Sequence, residues 1–269
     1  MFLKLLITIS FLFGAALDAQ VHDKWKINVG GMFVTSSETD MQLSKKGFPV
    51  GAKINTEDQL GLDNDTATFR LDGYYRFNEN HAIYGSYYAV RSDGHRAVDS
   101  EFEWDGDIIS AGAMVDSYFD MDIYKVNYLY SFYHNDRVEL ALSVGLHITS
   151  IDLGLTAHGT VNDLPSETVS SGSSVTAPLP TVGFKGEYTV IPKYLFVEYQ
   201  ADYFYLEFNS FKGSLVSSTL ALEYHFVEHV GVGLGFDSTI IDVEMDDGDK
   251  KVEVENRLAG VLLYFTYIY

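Results

Sequence analysis

Several arrangements in the 269-residue sequence carry residue types that do hydrolytic or metal chemistry. Asp93 and His95 form an Asp-x-His pair in "SDGH", and aspartates are paired at Asp63/Asp65, Asp105/Asp107 and Asp120/Asp122. Carboxylates beside an imidazole are the ordinary components of general acid–base catalysis. His147 and Thr149 stand two apart, His225 and His229 four apart, and Asp246, Asp247 and Asp249 crowd one short run. Each has a plainer reading. "SDGH" is also a polar glycine turn. The aspartate run does not match an EF-hand loop and reads as a solvated hairpin tip. A His pair at that spacing is too little to define a zinc site. No catalytic, cofactor or metal residue is therefore assigned.

The elements that would position these groups are strands. Apolar and polar residues alternate with period two in segment after segment. Trp25, Ile27, Val29, Gly31 and Phe33 share a face that excludes Lys26 and Asn28. Ala67, Phe69, Leu71, Gly73, Tyr75 and Phe77 oppose Thr68, Arg70, Asp72, Tyr74 and Arg76. A third strand covers about 81–91. In a fourth, about 117–133, Tyr124, Val126, Tyr128, Tyr130 and Phe132 oppose Lys125, Asn127 and Ser131. In a fifth, about 137–156, Leu140, Leu142, Val144, Leu146 and Ile148 oppose Glu139, Ser143 and His147, which places His147 and Thr149 in a polar row. Five more are expected over about 178–190, 194–208, 213–226, 229–244 and 252–269. They set Lys185, Glu187, Glu198, Asp202 and Glu223 against apolar rows. The acidic stretch 92–116 reads as a long loop with local structure, and the Ser/Thr/Gly-rich stretch 157–177 as a flexible loop.

Composition sets the surroundings. There is no Cys, so neither disulfides nor thiolate metal sites can form. Tyr and Phe number 19 and 18 against 2 Trp, an excess that suits a boundary between apolar and wet media. Lys4, the apolar run Leu5–Phe13 and small residues through Ala19 make a secretory signal pattern over 1–19, with cleavage after Ala16 or Ala19, leaving 20–269 as one domain. A formal charge of −20 excludes nucleic acid as a partner. No run is long and apolar enough for a membrane helix.

The connections alternate between short, near 78–80, 133–137, 190–193 and 227–229, and mostly longer, at 44–65, 92–116, 157–177 and 245–251. Membrane β-barrels have short periplasmic turns and long extracellular loops. Tyr75, Phe77, Tyr130, Phe132, Tyr188, Tyr224 and Phe226 lie beside the short turns, where an aromatic girdle belongs. The expectation is an all-β, antiparallel up-and-down transmembrane barrel of about ten strands, eight and twelve being the alternatives. Arg70, Asp72, Arg76, Lys125, Glu139, His147, Lys185, Glu187, Glu198, Asp202 and Glu223 would form a polar network in a largely plugged lumen.

With its signal pattern, alternating strands and the ending "YFTYIY", the chain resembles small bacterial outer-membrane β-barrel proteins, and "LGLDNDTATFRLDGYYRFNENHAIYGSYY" (60–88) an uncharacterised group among them. An even number of strands in a closed ring puts both termini on the periplasmic side, and the resemblance implies an outer-membrane location. It implies membrane lipid as the surroundings, and recognition of Phe265, Tyr267 and Tyr269 by the barrel-assembly machinery. The expectation is a monomer without cofactor, whose loops 44–65, 92–116 and 157–177 have a structural or surface-interaction role toward an extracellular ligand or small solute. A narrow porin for hydrophobic or cationic solutes is the alternative, with a rim-sited hydrolase behind it. Omptin-like proteases also have ten strands, paired Asp and an Asp-x-His, but theirs lies far downstream, whereas Asp93/His95 closely follows Asp65. Lipid A deacylases use an outward-facing His with Ser/Glu. The nearest counterpart here, His147 with Thr149, faces the lumen by alternation.

Overall fold

A computed structural model describes residues 23–45, 54–55, 62, 67–104, 107–161, 164–246 and 250–269. The signal pattern over 1–19, most of 44–65, and Asp63, Asp65, Asp105, Asp247 and Asp249 lie outside the described residues.

Thirteen strands are formed among the described residues. They are β1 (Trp25–Lys45), β2 (Ile54–Asn55), β3 (Ala67–Asn78), β4 (His81–Ala97), β5 (Phe102–Trp104), β6 (Asp107–Ile109), β7 (Met114–His134), β8 (Val138–Val161), β9 (Leu164–Ile191), β10 (Leu195–Phe208), β11 (Phe211–Val227), β12 (Val230–Asp246) and β13 (Lys250–Ile268). The ten long ones pair antiparallel in chain order, from β1 through β3, β4 and β7 on to β13. β13 then pairs with β1 and closes the ring, from Lys26↔Ile268 to Lys45↔Lys250. Trp25 and Tyr269 complete the closure: the Trp25 N–H donates to the Tyr269 carbonyl at 2.7 Å, and the Trp25 carbonyl accepts from the Tyr269 N–H at 2.9 Å. A closed ring is what lipid demands, since a free edge there would leave backbone groups without partners. The short strands are additions: β2 pairs with β1, and the β5–β6 hairpin touches β8 at Ile109↔Val161.

Two expected loops are corrected. Residues 157–177 belong to a hairpin in which β8 and β9 stay paired from Val138↔Tyr188 to Val161↔Leu164. Hydroxyl pairs lace the strands together across their outer face: Ser150 with Thr176 at 3.0 Å and Thr156 with Ser170 at 3.0 Å. Ser and Thr cannot build a core, but in a strand whose partner supplies the apolar side they make such cross-strand bonds. The stretch 92–116 is likewise largely ordered. β4 runs to Ala97 and β7 starts at Met114, with the β5–β6 hairpin between them.

Most of the long strands extend past what a bilayer needs, and along β7 and β8 the polarity inverts on the way. On lower β7, Tyr124, Val126, Tyr128, Tyr130 and Phe132 point outward and exposed, while Lys125, Asn127 and Ser131 are buried inside. Above Tyr124 the same alternation carries opposite chemistry. Ile123, Met121, Phe119 and Val115 are buried inside, and Asp122, Asp120 and Asp116 face out. β8 inverts likewise, between the outward Leu142, Val144 and Leu146 and the inward Ile151, Leu153 and Leu155. Lipid-facing strands of membrane barrels are roughly 9–11 residues long, which matches the lower part. The upper part is patterned as a barrel in water: apolar in, polar out.

Candidate functional site

The interior has two layers. The lower one is polar and holds most of the residues expected in the lumen. Lys26, on β1, donates to Glu223 of β11 at 2.8 Å and also pairs with Glu198 of β10, which Lys185 reaches at 3.4 Å. Arg70 bonds Asp72 and Asp237, both at 3.0 Å, spanning β3 to β12. Arg76 grips Glu139 through two 2.8 Å bonds, a fork-to-fork pairing that fixes direction as well as charge. Asp202 accepts from Asn127 at 2.9 Å, and Lys125 donates to Ser217 at 2.5 Å. Glu187 lines a small cavity beside Arg76 and Lys185. His147 is buried on the inner row, but neither ring nitrogen has a hydrogen-bond partner among the described residues, so it stands beside the network rather than in it.

Lys26, Asp237 and Tyr264 are among the members that went unassigned in the sequence. The first two follow from the same alternation, because each occupies the polar row of its strand. Tyr264 does not. Its apolar neighbours on the inner row, Leu262 and Ile268, conceal its role. Its ring covers Gly233 on the neighbouring strand, and its hydroxyl donates to Glu223 at 2.8 Å. A side chain at Gly233 would overlap that ring, its Cβ falling 2.1 Å from the Tyr264 Cζ.

Little space remains. One cavity of about 30 Å³ lies among Lys26, Arg70, Glu198 and Tyr264, and one of about 10 Å³ among Tyr74, Arg76 and Glu187. A water needs about 10–15 Å³, so the first has room for about two waters and the second for at most one. Above this layer the interior is apolar: Met32, Tyr88, Phe119, Met121, Leu153 and Leu258 pack together. The β5–β6 segment contributes Phe102, Trp104 and Ile109 to the same cluster. Polar groups below are thus capped by a hydrophobic layer, not by open water.

Of the residues first singled out for chemistry, Asp93, His95, Asp120 and Asp122 lie on the outer wall. His95 bonds Asp116 across β4 and β7, and His158 stands 3.6 Å from the same carboxylate. Arg91 binds Asp122 through two bonds of 2.8 and 2.9 Å. All of these side chains are substantially exposed except Asp122, which is partly covered. The wall is crowded with negative charge. Burial, opposed by Arg91 and then assisted by Asp152, Asp93 and Asp122, raises the Asp120 carboxyl above its ordinary pKa. Burial and the neighbouring Glu255 do the same at Asp242. Asp93 is exposed, and its expected partners Asp63 and Asp65 lie outside the described residues. His225 is buried 3.5 Å from Glu223, and no group of three or more His, Asp or Glu able to hold a metal occurs among the described residues.

A closed antiparallel ring, apolar outside and polar inside over one bilayer's depth, has the fold of the bacterial outer-membrane β-barrels. Comparison with solved structures agrees. The chain is similar to the outer membrane protease OmpT of Escherichia coli, with a TM-score of 0.63 at 9% identity, over 94% of this chain and 99% of that one. Looser overlays are found with OprG of Pseudomonas aeruginosa (TM-score 0.39, 13% identity, 94% and 99% covered) and with the attachment protein Ail of Yersinia pestis (TM-score 0.31, 13% identity, 90% and 99% covered). No protein-family model and no curated protein matches.

Proposed function

We propose that the chain is an integral outer-membrane protein with a closed lumen that acts through its extracellular wall and hairpins. The observation that carries this reading is the filled interior: cavities of about 30 and 10 Å³ below, an apolar layer above. A conducting pore needs a continuous wet path, and an interior packed with paired charges and apolar side chains does not supply one. In this reading the short turns and both described chain ends are periplasmic, and the long β8–β9 hairpin projects outside. Membrane lipid surrounds the lower band, and the protein works as a monomer.

Refolded full-length protein in planar bilayers should give no stepwise conductance above the lipid background. Reproducible ohmic steps, cation-selective as the acidic excess would require, would establish the narrow-porin reading instead. A hydrolase has weaker support. OmpT is described as a protease, but Asp93 and His95 stand on the exposed outer wall, away from any cavity described above.

Phe265, Tyr267 and Tyr269 belong to the same proposal as the stretch recognised by the barrel-assembly machinery. All three are exposed on the outer row of the closing strand. Tyr269→Asp leaves the backbone pairing with Trp25 possible. It should nevertheless cut the amount of heat-modifiable protein in the outer-membrane fraction at least several-fold. Undiminished levels would remove these residues from that role.

A further inference from the structure

The ring is closed only over the membrane's depth. β9 pairs with β10 from Ile191↔Leu195 to Val182↔Tyr203, and there the pairing ends. Both strands continue: β9 runs on to Leu164 and β10 to Phe208. β9 keeps β8 on one side, and β10 keeps β11. Between them a seam opens with, among the described residues, no strand in it.

The groups that face this seam can be named. The Thr189 amide donates to the Arg137 carbonyl on the β8 side. Odd-numbered residues of β9 therefore bond β8, and even-numbered ones point the other way, because backbone groups alternate along a strand. Pro178 and Pro180, which have no N–H to give, occupy even positions, as this requires. Above them, the N–H and C=O groups of Thr168, Ser170, Gly172, Ser174 and Thr176 point into the seam. Across it, the odd-numbered Tyr205 and Glu207 of β10 do the same, since Tyr203 is the last odd residue paired with β9.

Protected edges carry proline, charge or a bulge. Residues 168–176, "TVSSGSSVT", carry no proline and no charge, and their pairing with β8 is unbroken by any register shift. Two prolines guard only the base of the seam, at the level of the lipid band. On the β10 side, Leu206 and Phe208 belong to the inner row yet are exposed, beside the unpaired edge of the strand.

We propose that this seam binds an extended, cationic peptide segment of another protein by strand addition. Backbone pairing to β9 and β10 would supply the affinity. Inward side chains of the added strand would cover Leu206 and Phe208, and outward ones would meet Glu207 and the acidic wall. A second copy of this chain is the poorer occupant, because each copy carries a formal charge of −20. The inference rests on the surface-interaction reading but not on lumen closure, so conductance and peptide binding can fail separately.

The test uses full-length barrel refolded in detergent micelles and a fluorescein-labelled nine-residue peptide alternating Lys and Val. Saturable binding by anisotropy is expected. It should weaken at least tenfold for a Glu/Val peptide and for the Ser170→Pro/Ser174→Pro double variant. The Ser170→Ala/Ser174→Ala variant, which keeps the backbone donors, should stay within twofold of the native protein. Because the proline variant could misfold, amide exchange in the native protein gives an independent reading. The even-numbered amides from Thr168 to Thr176 should exchange fast, and at least tenfold slower with peptide, while the interleaved odd ones are slow throughout. Absence of binding, equal binding to the proline variant, or even-numbered amides already protected by dimerisation of the free protein would each overturn the proposal.

Discussion

Glu223→Ala should destabilise the folded barrel by about 3–5 kcal/mol, the usual cost of removing one partner from a buried ion pair. Glu223 is 1% exposed and accepts from both Lys26 and Tyr264 at 2.8 Å. Its loss leaves the Lys26 ammonium, 4% exposed, sharing Glu198 with Lys185, and leaves the Tyr264 hydroxyl without an acceptor. The Lys26→Met/Glu223→Leu double variant removes both charges. It should recover most of the loss, because well-packed apolar replacements of a buried pair are often neutral. Urea unfolding in lipid vesicles, followed by the fluorescence of Trp25 and Trp104, reads both variants. A loss below about 1 kcal/mol for Glu223→Ala would mean that water reaches Lys26 freely, and the closed-lumen proposal would fall with it.

Val144→Arg and Thr156→Arg together test where the bilayer lies. Both positions are on the outward row of β8, twelve residues apart. Val144 sits among exposed apolar neighbours, Leu142 and Leu146 along the strand and Val182 across it. Arginine there should cost about 2–4 kcal/mol, the depth-dependent cost of a guanidinium at the midplane of a barrel's lipid face. Thr156 lies above the inversion beside hydroxyls and carboxylates, so arginine there should change stability by no more than about 0.5 kcal/mol. The same unfolding experiment serves. Equal costs at the two sites would contradict the placement of the lipid band.

The lower barrel was legible because two solvents meet at one wall. Lipid outside and a packed polar interior force alternation, and Tyr124 through Phe132 display it with one exception, the buried Leu129 on the inner row. Ten segments repeating that pattern implied the ring. The upper barrel was less legible. Above Tyr124 the wall faces water, so the period persists while its meaning reverses. Phe119, Met121 and Leu153 then look like more of an outer row, although they form the core. The Ser/Thr run 168–176 was misread for a related reason: its order comes from β8, which supplies pairing and, from 14 and 26 residues away along the hairpin, hydroxyl partners. In the lumen, charge and alternation located Arg70, Glu139, Glu198 and Glu223. Neither could show which charge meets which, because Lys26 and Glu223 are 197 residues apart and meet only through the closed ring.

The reversal of polarity along β7 and β8 also marks a waterline. Sliding the barrel inward by two residues, about 6–7 Å of strand, would carry Asp122 and Arg91 toward the acyl chains. Sliding it outward would lift Tyr124 and Tyr87 out of the interface. A uniform barrel can settle at several heights; a wall patterned like this one disfavours displacement in either direction. When the surrounding membrane is thinner or thicker than that band, the lipid has to deform around the protein. The seam between β9 and β10, which opens at the top of the band, is thereby held at a constant height above the headgroups.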